Sequence, residues 1–103
     1  MLFRSKHSSK FIGIGTVPLQ DVDLAIAEME RCLTQLKLPG LQIGTNVNGE
    51  NLSEKKYFPL YKRAEELGCA LFIHPWEMMG EKQMEKYWLP WLVGMPAETS
   101  LAI

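Results

Sequence analysis

The sequence predicts an α/β fold with a parallel sheet, and three observations carry that expectation. Short β-branched or apolar runs begin near residues 11, 41 and 69. Segments with helical periodicity separate them, and the recurrence of about 30 residues is the length of one strand and helix with its loops. The runs are continuously apolar, as in strands covered on both faces, and crossovers between such parallel strands are right-handed.

Each element has its own signal. "KFIGIGTVPL" (10 to 19) reads as a first strand ending at Pro18, and Asp21 beyond it is a good helix N-cap. In the next segment Val22, Ala25, Ile26, Met29, Cys32, Leu33 and Leu36 recur at three and four residues, while Asp23, Glu28, Glu30, Arg31 and Gln35 fill the other face. Pro39 and Gly40 stop this helix. "LQIGTNV" (41 to 47) is a second strand, and "NVNGENLSE" is a loop of turn formers. A second helix carries Phe58, Tyr61, Ala64 and Leu67 as one stripe, with Gly68 placed to cap its end. "CALFIH" (69 to 74) is the third strand, and Pro96 opens a further helix in "PAETSLAI".

Composition narrows the function classes. Over 103 residues, 47% hydrophobic and 22% charged side chains make an ordinary globular mixture, against disorder. A formal charge of -1 provides no field to gather nucleic acid or anionic lipid, so neither partner is expected. "WLPWLVGM" (88 to 95) is far shorter than the roughly 18 residues that cross a bilayer. "MLFRSKHSSK" is basic with no secretory h-region after it, which reads as cytosolic. Cys32 and Cys69 lie in apolar segments without CxxC spacing and read as small reduced core residues.

His74 stands where the third apolar run stops. In parallel α/β architectures reactive groups gather at the carboxyl ends of strands. Position alone leaves two readings, a histidine satisfied by a backbone carbonyl and a reactive one. A catalytic zinc needs about three protein ligands and an open position. His7 lies in a polar tail, the cysteines point to helix and strand interiors, and no HxH or HExxH pair occurs. Any metal partners of His74 are therefore expected outside this sequence.

"FIHPWEMMG", followed by "MEKYWLPWLVGMPAETSLAI", resembles a group of zinc-dependent decarboxylases in the amidohydrolase superfamily. "KFIGIGTVPLQ", "AIAEMERC" and "PGLQIGTNVN" fit the same family in the same order, so the resemblance covers residues 11 to 103. It implies a (β/α)8 TIM barrel, here partial with about three βα units, and a divergent N-terminal tail over residues 1 to 10. It also implies non-oxidative decarboxylation of 2-amino-3-carboxymuconate semialdehyde in tryptophan catabolism, which limits quinolinate formation.

In that family an N-terminal HxH pair, the HPW histidine and a downstream aspartate hold zinc, and a further histidine acts on the metal-bound water. The HPW histidine maps to His74. Trp91 matches a substrate-facing tryptophan and Met78 a pocket-lining methionine. Trp76 and Trp88 read as packing residues, Glu77 as solvated, and Pro75 as the residue that ends the strand. The family implies a homodimer. A whole barrel needs about 250 residues, so the chain is expected to be part of a longer protein and inactive alone. Two alternatives stand beside this reading: a non-catalytic module that pairs with full-length subunits, and part of a related amidohydrolase-type decarboxylase with another carboxylated substrate.

Overall fold

Two strands, β1 (Gly40–Gly44) and β4 (Ala70–His74), pair in parallel with Gly40 opposite Ala70 and Gly44 opposite His74. The structure is a computed structural model that describes residues 6, 7, 9–78 and 80–102. Of the tail expected over residues 1 to 10, residues 1–5 and 8 lie outside the described ones.

Between the paired strands run a two-stranded antiparallel hairpin, β2 (Asn46–Val47) and β3 (Glu50–Asn51), and helix α2 (Phe58–Leu67). Before β1 comes helix α1 (Val22–Thr34). The Asp21 carboxylate accepts from the Leu24 N–H at 3.0 Å, the expected N-cap, and such a cap stabilises a helix by about 1 kcal/mol. Ala25, Met29 and Cys32 are buried against the sheet's neighbours, with Val22, Ile26, Leu33 and Leu36 packed partly beside them. The expected helical face is the observed one.

Three expectations change. The strand over residues 10 to 19 reduces to one bridge: Gly15 N–H donates to Gly40 O at 3.0 Å, and Gln42 N–H donates to Gly15 O at 2.8 Å. Phe11, Ile12 and Ile14 around it are exposed, because no described segment pairs on that outer edge. The loop over "NVNGENLSE" instead holds the β2–β3 hairpin, turned at Asn48 and Gly49, both with positive φ. In α2 the buried stripe is rotated: Leu60 and Ala64 are buried and Phe58 is exposed. The cause is the 3₁₀ turn Lys55–Tyr57, which delivers buried Tyr57 one residue earlier and sets the phase of the stripe.

Gly68 caps α2 in the left-handed conformation, φ 64°, as expected. Arg63 of α2 binds Glu30 of α1 at 2.7 Å and Glu66 of its own helix at 2.9 Å, tying the two helices on one side of the sheet. After β4 the chain forms a short helix α3 (Glu81–Met84), a 3₁₀ turn (Glu85–Tyr87), a π-helical turn (Pro90–Gly94) and helix α4 (Met95–Leu101). Pro96 lies in the first turn of α4. The order bridge, helix, strand, helix, strand, with Gly15 bridging β1 in parallel and β1 pairing in parallel with β4, is part of a (β/α)8 barrel.

The parallel pairing gives the two sheet faces different neighbours. Leu41 and Ile43 of β1 are buried with the helices, and Leu71 and Ile73 of β4 pack partly against the same cluster. The alternate positions Gln42, Ala70 and Phe72 are exposed on the other face, which in a barrel is the interior.

Candidate active site

His74 is the last residue of β4 and lies half-buried on the same sheet face as Phe72, with ring centroids 6.3 Å apart. Its Nδ1 is 2.9 Å from the Pro75 carbonyl oxygen. A carbonyl oxygen only accepts, so this contact requires Nδ1 to carry the proton, which leaves the Nε2 lone pair for a ligand or a proton. The backbone-carbonyl contact is the one the sequence reading offered for a strand-end histidine. The backbone carbonyl satisfies one nitrogen and orients the other, the arrangement usual for metal-binding imidazoles.

Around His74 the strand ends form an open cleft lined by Thr16, Gln42, Ile43, Gly44, His74 and Trp76. A hydroxyl, a primary amide, an imidazole and an indole meet there without a charged side chain. A neighbouring depression shares Thr16, Ile43, Gly44 and Trp76 and continues to Asn46 and Glu77. Both open at the carboxyl ends of the strands, where the sequence placed the reactive end of the fold.

Trp76 is not a packing residue: it is 62% exposed and forms a wall of the cleft. Its indole follows Pro75, which ends the strand and turns the chain over the sheet end. Trp88 is also exposed, at 73%, because it closes the 3₁₀ turn in the left-handed conformation, φ 58°. Trp91 lies in the π-helical turn and is 48% exposed. Met78 is buried beside Gly94, and neither Met78 nor Trp91 is among the described walls of the His74 cleft. Glu77 is exposed, as expected of a solvated carboxylate, but its backbone has φ 50°.

The sequence reading missed Thr16, Gln42 and Asn46. No motif marks them; Thr16 and Gln42 line the His74 cleft, and Asn46 lines the neighbouring depression and touches the loop after β4. Asn46 Nδ2 lies 3.4 Å from the Trp76 carbonyl, 3.3 Å from the Glu77 carbonyl and 3.1 Å from the Glu98 carboxylate.

Elsewhere, burial pushes the Cys32 and Cys69 thiols up, as befits free reduced cysteines in apolar surroundings. Among the described residues no three His, Cys, Asp or Glu side chains converge in a metal-holding group. These residues therefore do not by themselves fit a zinc centre, and His74 offers a single ligand. No helix among them is long and apolar enough to cross a membrane.

Comparison with known proteins agrees with this geometry. The amidohydrolase family model matches residues 1–103. The chain is 56% identical over 99 residues to 2-amino-3-carboxymuconate-6-semialdehyde decarboxylase of Dictyostelium discoideum, covering 96% of this chain and 28% of that protein. It superposes on 5-carboxyvanillate decarboxylase from Sphingomonas paucimobilis with a TM-score of 0.87 at 30% identity, covering 96% of this chain and 30% of that one. It also superposes on a dihydroxybenzoic acid decarboxylase from Polaromonas sp. JS666, solved with bound manganese and 2-nitroresorcinol, with a TM-score of 0.85 at 22% identity; the coverage is 96% and 33%. The chain thus spans about a third or less of the length of these relatives. With the parallel βα units and the strand-end histidine in place, the chain belongs to the amidohydrolase family.

Proposed function

We propose that this chain forms part of the active centre of a metal-dependent decarboxylase that converts 2-amino-3-carboxymuconate 6-semialdehyde to 2-aminomuconate semialdehyde and carbon dioxide without oxygen. The observation that carries the reading is His74 at the end of β4, its Nδ1 engaged by the Pro75 carbonyl and its Nε2 left as a donor atom. The 56% identity to a relative of that name supports the substrate. Zinc is the metal proposed, with His74 as one ligand and the others supplied from outside the described residues. When bound, such an ion lowers the pKa of a bound water and steadies negative charge. This chain's own contribution is to hold the imidazole with one tautomer and one orientation.

Trp91 and Met78 are the proposed substrate contacts, and Trp76 lines the approach to His74. The whole protein is proposed to be a cytosolic homodimer that draws its substrate away from cyclisation to quinolinate in tryptophan catabolism.

The test is His74→Ala in the whole decarboxylase, read by zinc content and by loss of substrate absorbance. Zinc and turnover are expected to fall together. Full zinc occupancy with unchanged turnover would reject His74 as a ligand.

A further inference from the structure

The loop that follows His74 is held from behind by a pair of side chains that are far apart in sequence. Asn46 opens β2, and its Oδ1 accepts from the Gly49 N–H at 3.1 Å, which fixes the amide so that Nδ2 faces the loop after β4. From there Nδ2 meets the Trp76 and Glu77 carbonyls and the Glu98 carboxylate, the last at the shortest distance, 3.1 Å. Glu98 belongs to α4 and is 3% exposed, a carboxylate taken almost wholly out of water. A side chain so buried is retained where its oxygens have defined partners. Beside the same pair, the Asn51 amide donates to the Leu101 carbonyl at 3.0 Å, so the hairpin grips α4 at two points.

The segment being gripped contains Glu77, a non-glycine residue with φ 50°. Side chains disfavour this conformation, and it persists where surrounding contacts over-determine it. The Glu77 carbonyl is one of the oxygens that Asn46 binds.

We propose that Asn46 and Glu98 are positioning residues: Glu98 holds the Asn46 amide, and the amide fixes the left-handed turn at Glu77 and with it the His74-Pro75-Trp76 backbone. The catalytic bearing of this clasp rests on the proposed role of His74; its mechanical content does not.

Hydrogen–deuterium exchange of the chain, without metal or substrate, tests it. Asn46→Ala and Glu98→Ala should each raise exchange of peptides spanning residues 76 to 84, where the Glu81 N–H donates to the Met78 carbonyl and the Gln83 N–H to the Gly80 carbonyl, by about tenfold, the equivalent of one lost hydrogen bond, while β1 and β4 peptides stay unchanged. Glu98→Gln keeps an acceptor oxygen and should exchange like the parent chain. Glu77→Gly placed in the Asn46→Ala background should recover much of the loss, because glycine adopts positive φ without the side-chain penalty.

Unchanged exchange in both alanine variants would overturn the proposal. So would an equal rise in β1 and β4, which would show a general core role, or a Glu98→Gln variant as exposed as Glu98→Ala. In the whole decarboxylase the same alanine variants should lower kcat with KM little changed, and Glu98→Gln should restore it. If His74→Ala retains zinc and turnover while the exchange results hold, the reading of His74 fails and the clasp stands.

Discussion

Gly40 faces Ala70 across the parallel pairing so closely that a Cβ on Gly40 would lie 2.4 Å from the Ala70 carbonyl oxygen. The obstacle is backbone in the neighbouring strand, which cannot rotate away as a side chain can. Gly40→Ala should therefore push β1 and β4 apart and destabilise the fold by about 1 to 3 kcal/mol, the range of overpacking substitutions. Gly15→Ala is the control. Its added carbon meets the Cys32 sulfur at 2.8 Å and a Leu41 methyl at 3.0 Å, both atoms of buried side chains, which can shift by rotation where a strand backbone cannot. Urea midpoints should fall further for Gly40→Ala than for Gly15→Ala, and the reverse order would show that the strand approach tolerates a methyl group.

Residues 22 to 36 made their helix legible because Ala25, Met29 and Cys32 repeat at the helical period and Asp21 can satisfy the first turn. β4 was equally plain, with apolar residues running to His74. Gly40 was read as a helix stop; its close approach to Ala70 depends on a strand 30 residues away, which no local pattern contains. Residues 10 to 19 have the composition of a strand, yet strand structure needs a partner on its edges, and only Gly15 finds one among the described residues. At the site, His74 was visible through its place at the end of an apolar run. The roles of Trp76, Asn46 and Glu98 come from tertiary contacts spanning up to 52 positions, and composition favoured packing for the first and a loop for the second.

Indole chemistry separates Trp91 from Trp76. In the proposed whole decarboxylase, Trp91→Phe would keep an aromatic ring at the proposed substrate contact but remove the N–H donor. It should leave metal content unchanged and reduce kcat/KM by about 3- to 10-fold, the worth of one hydrogen bond. Trp76→Phe serves as the comparison, because Trp76 lines the His74 cleft. Steady-state kinetics with unchanged constants for Trp91→Phe and impaired constants for Trp76→Phe would transfer the substrate contact to Trp76.

Acid should loosen the hairpin. The Lys56 ammonium hydrogen-bonds Glu50 and, with the Tyr57 hydroxyl at 3.1 Å, holds its carboxyl below the ordinary value of 4.5. Arg31 lowers Glu28 in the same way, first through its hydrogen bonds. A folded pKa below the unfolded one means that the unfolded chain binds more protons on descent through this range. The contribution is thus complete above about pH 4.5 and is lost as pH falls through the lowered folded values. Glu50 is exposed and Glu28 partly so, and the effect is therefore modest and shrinks in salt. Melting temperatures recorded from about pH 7 to pH 3 should decline below pH 4.5, with a shallower decline for Glu50→Gln. Parallel curves for the two chains would remove Glu50 from the account.

The chain of 103 residues should associate with itself when expressed alone. Its β4 strand has no described partner on the edge away from β1, and Gln42 and Phe72 are exposed on the sheet face they share with half-buried His74. Phe72 is 54% exposed, and in the segment after β4 Trp88, Leu92 and Val93 are each more than half exposed. Unpaired strand edges template pairing with another chain, and contiguous apolar surface gains about 25 cal/mol per Å2 when covered. A barrel would cover the Phe72 face from within, whereas the Trp88 segment lies beyond the sheet, so two substitutions tell the surfaces apart. Phe72→Gln should shift the chain toward monomer in light scattering if the open sheet face drives association, and Leu92→Lys should do so if the tryptophan-rich segment does. We expect the larger shift from Phe72→Gln, because that face adjoins the free edge of β4 and both can be covered by one neighbour. A parent chain that scatters as a monomer at all concentrations and melts in one sharp transition would show that the open face is stable in water.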